Sequence, residues 1–300
     1  MKTKRKRLAK WPYIFVAPFI LTYIAFYMYP MLYSFLISFT DWTAVTLDNR
    51  NFVGLKNYIR VFTNDPLFWK SILNTVKIMI IAMPLTIVSG LLVAVLMFNM
   101  VRGRQLIQTI NFLPYITMPI AIGLIFANMF NTNIGVVNTI LMKLGIISEK
   151  INWLGDSKYA FVVVILICIW KNFGYNTIIY LAALTGIDPT LYEAAMVDGA
   201  GKIKQTIHVT MPGIAPFIAL MTIMSIGSVL NAGFDQIFNL YSPAVYATGD
   251  IIDTLVYRLG LINQQYSLSA AVGLLKSVVS CILVLTGYKL ADKYAGYKVW

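Results

Sequence analysis

Histidine occurs once in 300 residues, at His208, and cysteine twice, at Cys168 and Cys281. One imidazole cannot build the multi-histidine site on which a zinc hydrolase depends. The two thiols fall inside apolar runs and have no CxxC spacing, so they read as packing residues and not as a disulfide framework or a metal site. Charge is scarce as well, at 12% of residues against about 25% in a soluble domain. Nucleotide chemistry is missing too. The only Gly-Lys pair, Gly201-Lys202, has Met196 where a GxxxxGK[ST] loop needs its first glycine and Ile203 where it needs Ser or Thr. No GxSxG, HExxH or paired-carboxylate constellation occurs, so the chain offers no catalytic residue, no metal ligand set and no cofactor of its own.

Apolar residues are abundant, at 59% of the chain, with a mean hydropathy of +0.73. Six apolar runs, 13–39, 68–98, 106–130, 160–184, 213–240 and 268–290, each supply the ~20 residues a helix needs to cross ~30 Å of hydrocarbon. None shows the alternation of a barrel strand, and each must satisfy its backbone internally. An all-α integral membrane protein with six transmembrane helices is expected.

Orientation follows from the cations. Lys2, Lys4, Arg5, Lys6 and Arg7 precede the first run, which puts this end in the cytoplasm. The first run exceeds a ~7–15 residue signal h-region and shows no small-x-small cleavage site, so it reads as an uncleaved span. An even number of spans returns the C-terminus to the cytoplasm. Arg102, Arg104, Lys202, Lys204, Lys289, Lys293 and Lys298 then fall on the inner side, while the outer segments mix cations with carboxylates. The net charge of +12 calls for anionic membrane lipid as a partner and not for nucleic acid. Residues 1–12 read as a basic cytoplasmic tail and 13–300 as a single transmembrane domain. Residues 52–62 and 133–145 suit short helices at the outer interface, the second ending on Gly145. Trp11, Trp42, Trp69, Trp153 and Trp300 mark span limits.

One loop stands out between the fourth and fifth runs, at about 185–213. Asp188 is a suitable N-cap and Pro189 a suitable first helical residue, so a short helix is expected through Leu191, Tyr192 and Glu193 to about Val197. Gly199 then permits a break before a second helical piece. Ala194 and Ala195 leave little bulk beside the Glu193 carboxylate, which suits entry into a cleft on another protein. A simple connector between two spans is the alternative.

The pattern Glu193-Ala194-Ala195-x3-Gly199-x9-Val209-x-Met211-Pro212 resembles the EAA signature of the membrane subunits of binding-protein-dependent ABC importers. Val209 and Met211 replace the usual Ile and Leu, and Ile203 and Thr206 stand where aromatics are frequent. Further likeness to carbohydrate-importer permeases lies in Pro30 to Ser34, Ser38 to Trp42, Phe52 to Tyr58, Asn74-Thr75, Arg102 to Arg104, Phe112 to Pro114, Trp153 to Asp156, Trp170 to Asn172 and Phe234-Asp235. The segment 241–267 and the ending Tyr297 to Trp300 are similar to the branch that handles oligosaccharides and polysaccharide fragments. The resemblance implies a MetI-like permease fold and a second homologous permease subunit. It also implies two cytoplasmic ATPase subunits that use ATP and Mg, an extracytoplasmic sugar-binding protein and an oligosaccharide substrate, in a bacterial cytoplasmic membrane. Glu193, Ala194, Ala195, Asp198, Gly199 and Pro212 would be the coupling residues.

Charged groups inside lipid cost at least ~2.5–3.5 kcal/mol, so each wants a reason. Lys171 in the fourth run and Asp235 in the fifth are expected either to pair or to line the substrate path. Lys77 and Lys276 are expected to snorkel. Asn172, Tyr175 and Asn176 share one helical face by their i, i+3, i+4 spacing and offer amides and an aromatic ring to a sugar. By resemblance, a tyrosine at the place of Tyr175 touches sugar in a maltose-type permease, with Asn231 and Asp235, a turn apart on the fifth run, as the facing surface. Interhelical hydrogen bonding is the alternative for these amides. A secondary transporter working without an ATPase would show internal repeats, and none is convincing.

Overall fold

The computed structural model describes residues 11–45, 51–100, 102–227, 229–231, 233–240 and 245–295. The basic tail, Lys298, Trp300 and part of the 241–267 segment lie outside them. The chain divides into two compact units, residues 1–64 with 256–274, and residues 65–255 with 275–300.

In the first unit, α1 (Trp11–Tyr23), a π-helical turn (Ile24–Met28) and α2 (Tyr29–Ile37) run on as one apolar span, Pro12–Ile37, with none of its apolar window buried. The π turn directly precedes Pro30, which has no N–H to give the helical ladder, so the widened turn absorbs the missing bond. Beyond α2, Asn57 holds the chain by donating from Nδ2 to Ser38 O at 2.8 Å and Thr40 O at 2.7 Å. Asn57 sits on α3 (Lys56–Thr63), the helix expected within 52–62, which buries Val61. Ser267 Oγ then binds both Thr40 Oγ1 (2.8 Å) and Trp42 N (2.9 Å).

The second unit is built on α4 (Pro66–Phe98), 33 residues long and capped by Asp65, whose side chain accepts from Leu67 N at 3.0 Å. After α4 come α5 (Arg104–Ile116), α6 (Pro119–Met129), α7 (Val136–Lys143) and α8 (Ser157–Thr185). Gly145, at φ 70°, follows α7 one residue past its C-cap, as expected of a terminating glycine. Asn138 of α7 is buried and organises the loop before α8: Nδ2 donates to Thr132 O and Ile151 O, and Oδ1 accepts from Trp153 Nε1 at 2.8 Å. Trp153 therefore has a structural partner as well as an interfacial ring. Helices α5 and α8 approach closely at Gly174, where a Cβ would run into the backbone of Asn111.

The remaining elements are α9 (Pro189–Val197), α10 (Lys202–Gln205), a π turn (Thr206–Thr210), α11 (Met211–Gly227), α12 (Phe234–Leu240), α13 (Tyr246–Gly249), α14 (Ile252–Tyr257), a π turn (Arg258–Ile262) and α15 (Tyr266–Ala295). Ile87, Ala94 and Met97 of α4, Tyr180, Leu181 and Leu184 of α8, and Ile214 and Met221 of α11 form one buried apolar cluster. A second cluster joins Ile78 and Ala82 to Val164, Ile165 and Cys168, and to Ile237 and Ile251. The backbone after α13 is tied to α4 by Asn74 Nδ2 to Asp250 O (3.1 Å) and Ile252 N to Thr75 Oγ1 (3.0 Å).

Two expected spans are not straight helices. The third run breaks between α5 and α6 with a bend of 96°. Pro119 opens α6, and the residue before a proline is driven out of the helical region: Met118 has ψ 131°. The fifth run starts earlier than expected, at Lys202, and stops at Gly227; α12 resumes only at Phe234. The described residues thus contain five helices long and apolar enough to cross a membrane, or six if the bent pair is counted as one span. Lys276, expected to snorkel, has a partner within the fold. Its ammonium forms an ion pair with the Asp253 carboxylate.

Candidate functional site

A cavity of about 310 Å³ opens within the second unit. Its α4 wall is Met79, Ala82, Met83 and Thr86, and its α8 wall is Cys168, Asn172, Tyr175 and Asn176. Ser225 of α11 and Asn231, Gly233 and Gln236 of the break and α12 complete it. Among the described residues, no charged side chain lines it. Amides, hydroxyls and one phenol ring are set among methyl and thioether groups, the mixture that binds an uncharged polyol or sugar face.

The face Asn172, Tyr175 and Asn176 is thus brought together on one wall, as the helical spacing requires. Asn172 Nδ2 donates to Cys168 O within its own helix at 2.8 Å, which leaves its carbonyl oxygen as an acceptor. Lys171 lies beside this wall but is not part of it. Asn231 lines the cavity, yet it and Asp235 are not a turn apart on one helix: Asn231 sits in the break, and Asp235 occupies the first turn of α12 with its side chain exposed. The residue of α12 that reaches the cavity is Gln236, which is buried. Lys171 and Asp235 form no ion pair; the Lys171 ammonium meets the Gln236 carboxamide instead.

Four residues of this region were not anticipated. Thr86 and Ser225 are single hydroxyls in apolar runs, and Gln236 was overshadowed by the charge next to it. Tyr115 of α5 stacks on Tyr175 with ring centroids 4.6 Å apart.

The loop between α8 and α11 has the expected first helix. The Asp188 side chain accepts from Thr190 N at 2.9 Å, and that hydrogen bond holds the carboxyl below the ordinary carboxylate range. On α9 Glu193 and Ala194 are exposed, with Ala195 half-buried; Asp198 and Gly199 beyond it are also exposed. Gly199, at φ 75°, reverses the chain, and Ala200 N returns to Ala195 O at 2.8 Å. Leu191, Met196 and Val197 of α9 and Ile203 of α10 are exposed apolar side chains of the same loop, Val197 at 88%. Tyr192 Oη binds Thr210 Oγ1 at 3.0 Å and fastens this surface to the helix below. The second helical piece is already the start of the long helix Lys202–Gly227, in which a π turn directly precedes Met211-Pro212, just as one precedes Pro30.

A family signature, that of the binding-protein-dependent transport system inner membrane component, matches residues 68–293. The polygalacturonan/rhamnogalacturonan transport system permease protein YteP of Bacillus subtilis is 34% identical over 304 aligned positions, covering 98% of this chain and 93% of that protein. The lactose transport system permease protein LacF of Rhizobium radiobacter is 37% identical over 228 positions, covering 76% and 74%. Among solved structures, a chain of a bacterial alginate ABC transporter in complex with an alginate pentasaccharide-bound periplasmic protein superposes with a TM-score of 0.87 at 27% identity, covering 97% of both chains. With its apolar spans, its polar cavity and the loop after α8, this chain belongs to the binding-protein-dependent transport system inner membrane component family and is a multi-pass, non-enzymatic permease subunit of an ABC transporter.

Proposed function

We propose that this chain forms half of the path by which an ABC importer moves an oligosaccharide, including fragments of larger polysaccharides, into a bacterial cell. The supporting observation is the cavity walled by Asn172, Tyr175, Asn176, Asn231 and Gln236 within a permease fold. Relatives described as carriers of polygalacturonan/rhamnogalacturonan, arabinooligosaccharides and lactose support the substrate class. The protein works in the cytoplasmic membrane with both termini inside, beside a second homologous permease subunit. A sugar-loaded binding protein docks from outside.

The chain binds no cofactor of its own. ATP and Mg act in two cytoplasmic ATPase subunits docked on the 185–213 loop. Glu193 supplies the carboxylate, Ala194 and Ala195 the close approach, and Gly199 the turn, with Asp198 and Pro212 bounding the docking surface. The exposed apolar side chains Leu191, Met196, Val197 and Ile203 support a protein partner there. When the ATPases close, the docked loops move and the permease halves rock about the cavity, which then faces the other side. Lys171 and Asp235 act from behind the cavity wall.

The reading is tested by purification and uptake together. ATPase subunits should copurify with the chain, and Glu193→Lys should abolish both copurification and oligosaccharide uptake while the protein stays in the membrane. Full uptake by the Glu193→Lys variant without any ATPase subunit would instead establish a secondary transporter.

A further inference from the structure

Lys171 precedes the cavity-lining Asn172 yet contributes nothing to the lining. Its ammonium lies against the Gln236 carboxamide; with that amide oriented so that its oxygen faces the cation, which satisfies both of its ends, Nε2 donates to Gly233 O at 3.1 Å. Gly233 has φ 78°, and a Cβ there would lie 2.6 Å from the Gln236 carboxamide and 3.8 Å from Cys168 Sγ. One amide therefore connects a cation on α8 to the left-handed turn that opens α12. The carbonyl of Gly233 also accepts from Gln236 N and Ile237 N, both at 3.1 Å, so three donors converge on it.

The stretch between α11 and α12 needs such a tie. Once a helix stops, its backbone groups lose their ladder partners and need others. Asn231 lies in that stretch and Gln236 closes it, and both line the cavity. In a low-dielectric surrounding, a hydrogen bond from an ammonium to an amide oxygen is stronger than one between two neutral groups. Asp235 adds a nearby negative charge without pairing directly.

We infer that Lys171 is a positioning residue of the path: through Gln236 it holds Gly233 and the start of α12 against α8 and so fixes Gln236, and Asn231 just before it, on the cavity wall. Its importance for sugar transport rests on the function proposed above. The tie itself does not, and Cys168 reports on it directly, because that thiol lines the cavity next to Gly233 and is almost fully buried.

The experiment measures the labelling rate of Cys168 by a small water-soluble methanethiosulfonate, on the full-length protein in lipid bilayers with Cys281→Ser removing the exposed thiol. Lys171→Met should free the turn and label roughly tenfold faster than the parent. Lys171→Arg, which keeps charge and donors, should restore slow labelling. Gln236→Leu should match Lys171→Met, and the double variant should label no faster than either single, since both remove one interaction. Parental rates in both Lys171→Met and Gln236→Leu, or multiplied effects in the double, would overturn the inference. Should Lys171→Met fail to insert, Gln236→Leu and Lys171→Leu carry the same comparison. Loss of sugar uptake in every variant would bear on the transport reading alone, because labelling needs no transport.

Discussion

Tyr115 and Tyr175 lie face to face, with ring centroids 4.6 Å apart and planes 16° from parallel. Tyr175 belongs to the cavity wall on α8, and Tyr115 comes from α5, just before the 96° bend. Phe112 continues the series at 5.6 Å from Tyr115. A phenol in the wall of a polar cavity would turn freely if nothing backed it; the second ring fixes its plane.

Such a pair is worth about 0.5–1.5 kcal/mol beyond its buried area. Tyr115→Ala should therefore lower the rate of oligosaccharide uptake by roughly threefold to tenfold while leaving the level of protein in the membrane unchanged. Tyr115→Phe keeps the stack and should transport normally. Uptake that is equal in Tyr115→Ala and the parent would mean that the orientation of Tyr175 is set elsewhere.

The extent to which this arrangement was readable differs from element to element. The apolar runs and the α8 face Asn172, Tyr175 and Asn176 follow from composition and helical period, which are local properties. So does the start of α9, because Asp188 and Pro189 act within one turn. The bend at Met118 was in principle visible through Pro119, but the run stays apolar across it, and hydropathy is blind to backbone direction. The gap before α12 was hidden the same way, since Gly227 and Gly233 flank residues that read as one membrane run. Gln236 and Tyr115 could not be found along the chain at all. Their roles exist only because α12 meets α8 and α5 meets α8, contacts between residues 65 and 60 positions apart for Gln236–Lys171 and Tyr175–Tyr115.

Asp188 gives a pH-dependent start to the coupling helix. Its carboxyl titrates below the ordinary value because its charged form accepts the Thr190 hydrogen bond. A lowered folded-state value means that the capping stabilisation is complete above the unfolded-state value and is lost as pH falls through the folded one. Amide exchange in α9, corrected for the intrinsic pH effect, should therefore show constant protection near neutrality and a loss of protection only at strongly acidic pH. Asp188→Asn keeps an acceptor without a titrating charge and should remove that acid transition. A transition that persists in Asp188→Asn would have to come from another carboxyl.

Lys276 and Asp253 form a partly screened ion pair, with side chains 16% and 22% exposed. Removing one partner strands the other, at a cost of roughly 3 kcal/mol when the site is dry. Lys276→Met and Asp253→Leu should each lower the thermal unfolding temperature in detergent. The double variant should lie closer to the parent than either single, because no stranded charge is left. If the two losses simply add, the pair contributes no mutual stabilisation.

Gly174 is where α8 meets α5, with the site of a missing Cβ against Asn111 O and 2.6 Å from Asn111 C. These are backbone atoms, which cannot swing aside as the end of a side chain does. Gly174→Ala must therefore push the helices apart, a strain of about 1–3 kcal/mol by the usual cost of overpacking. Because Tyr175 is the next residue, the displacement should reach the Tyr115–Tyr175 stack as well as global stability. Gly174→Ala is thus expected to lower both the unfolding temperature and uptake, whereas Gly273→Ala, where a Cβ meets nothing within 4 Å, should change neither. If Gly174→Ala proves as stable as the parent, the α5 to α8 approach is looser than described and Tyr175 has room to move. In that case Tyr115→Ala should also leave transport unchanged, so the two variants test one packing relationship from opposite sides.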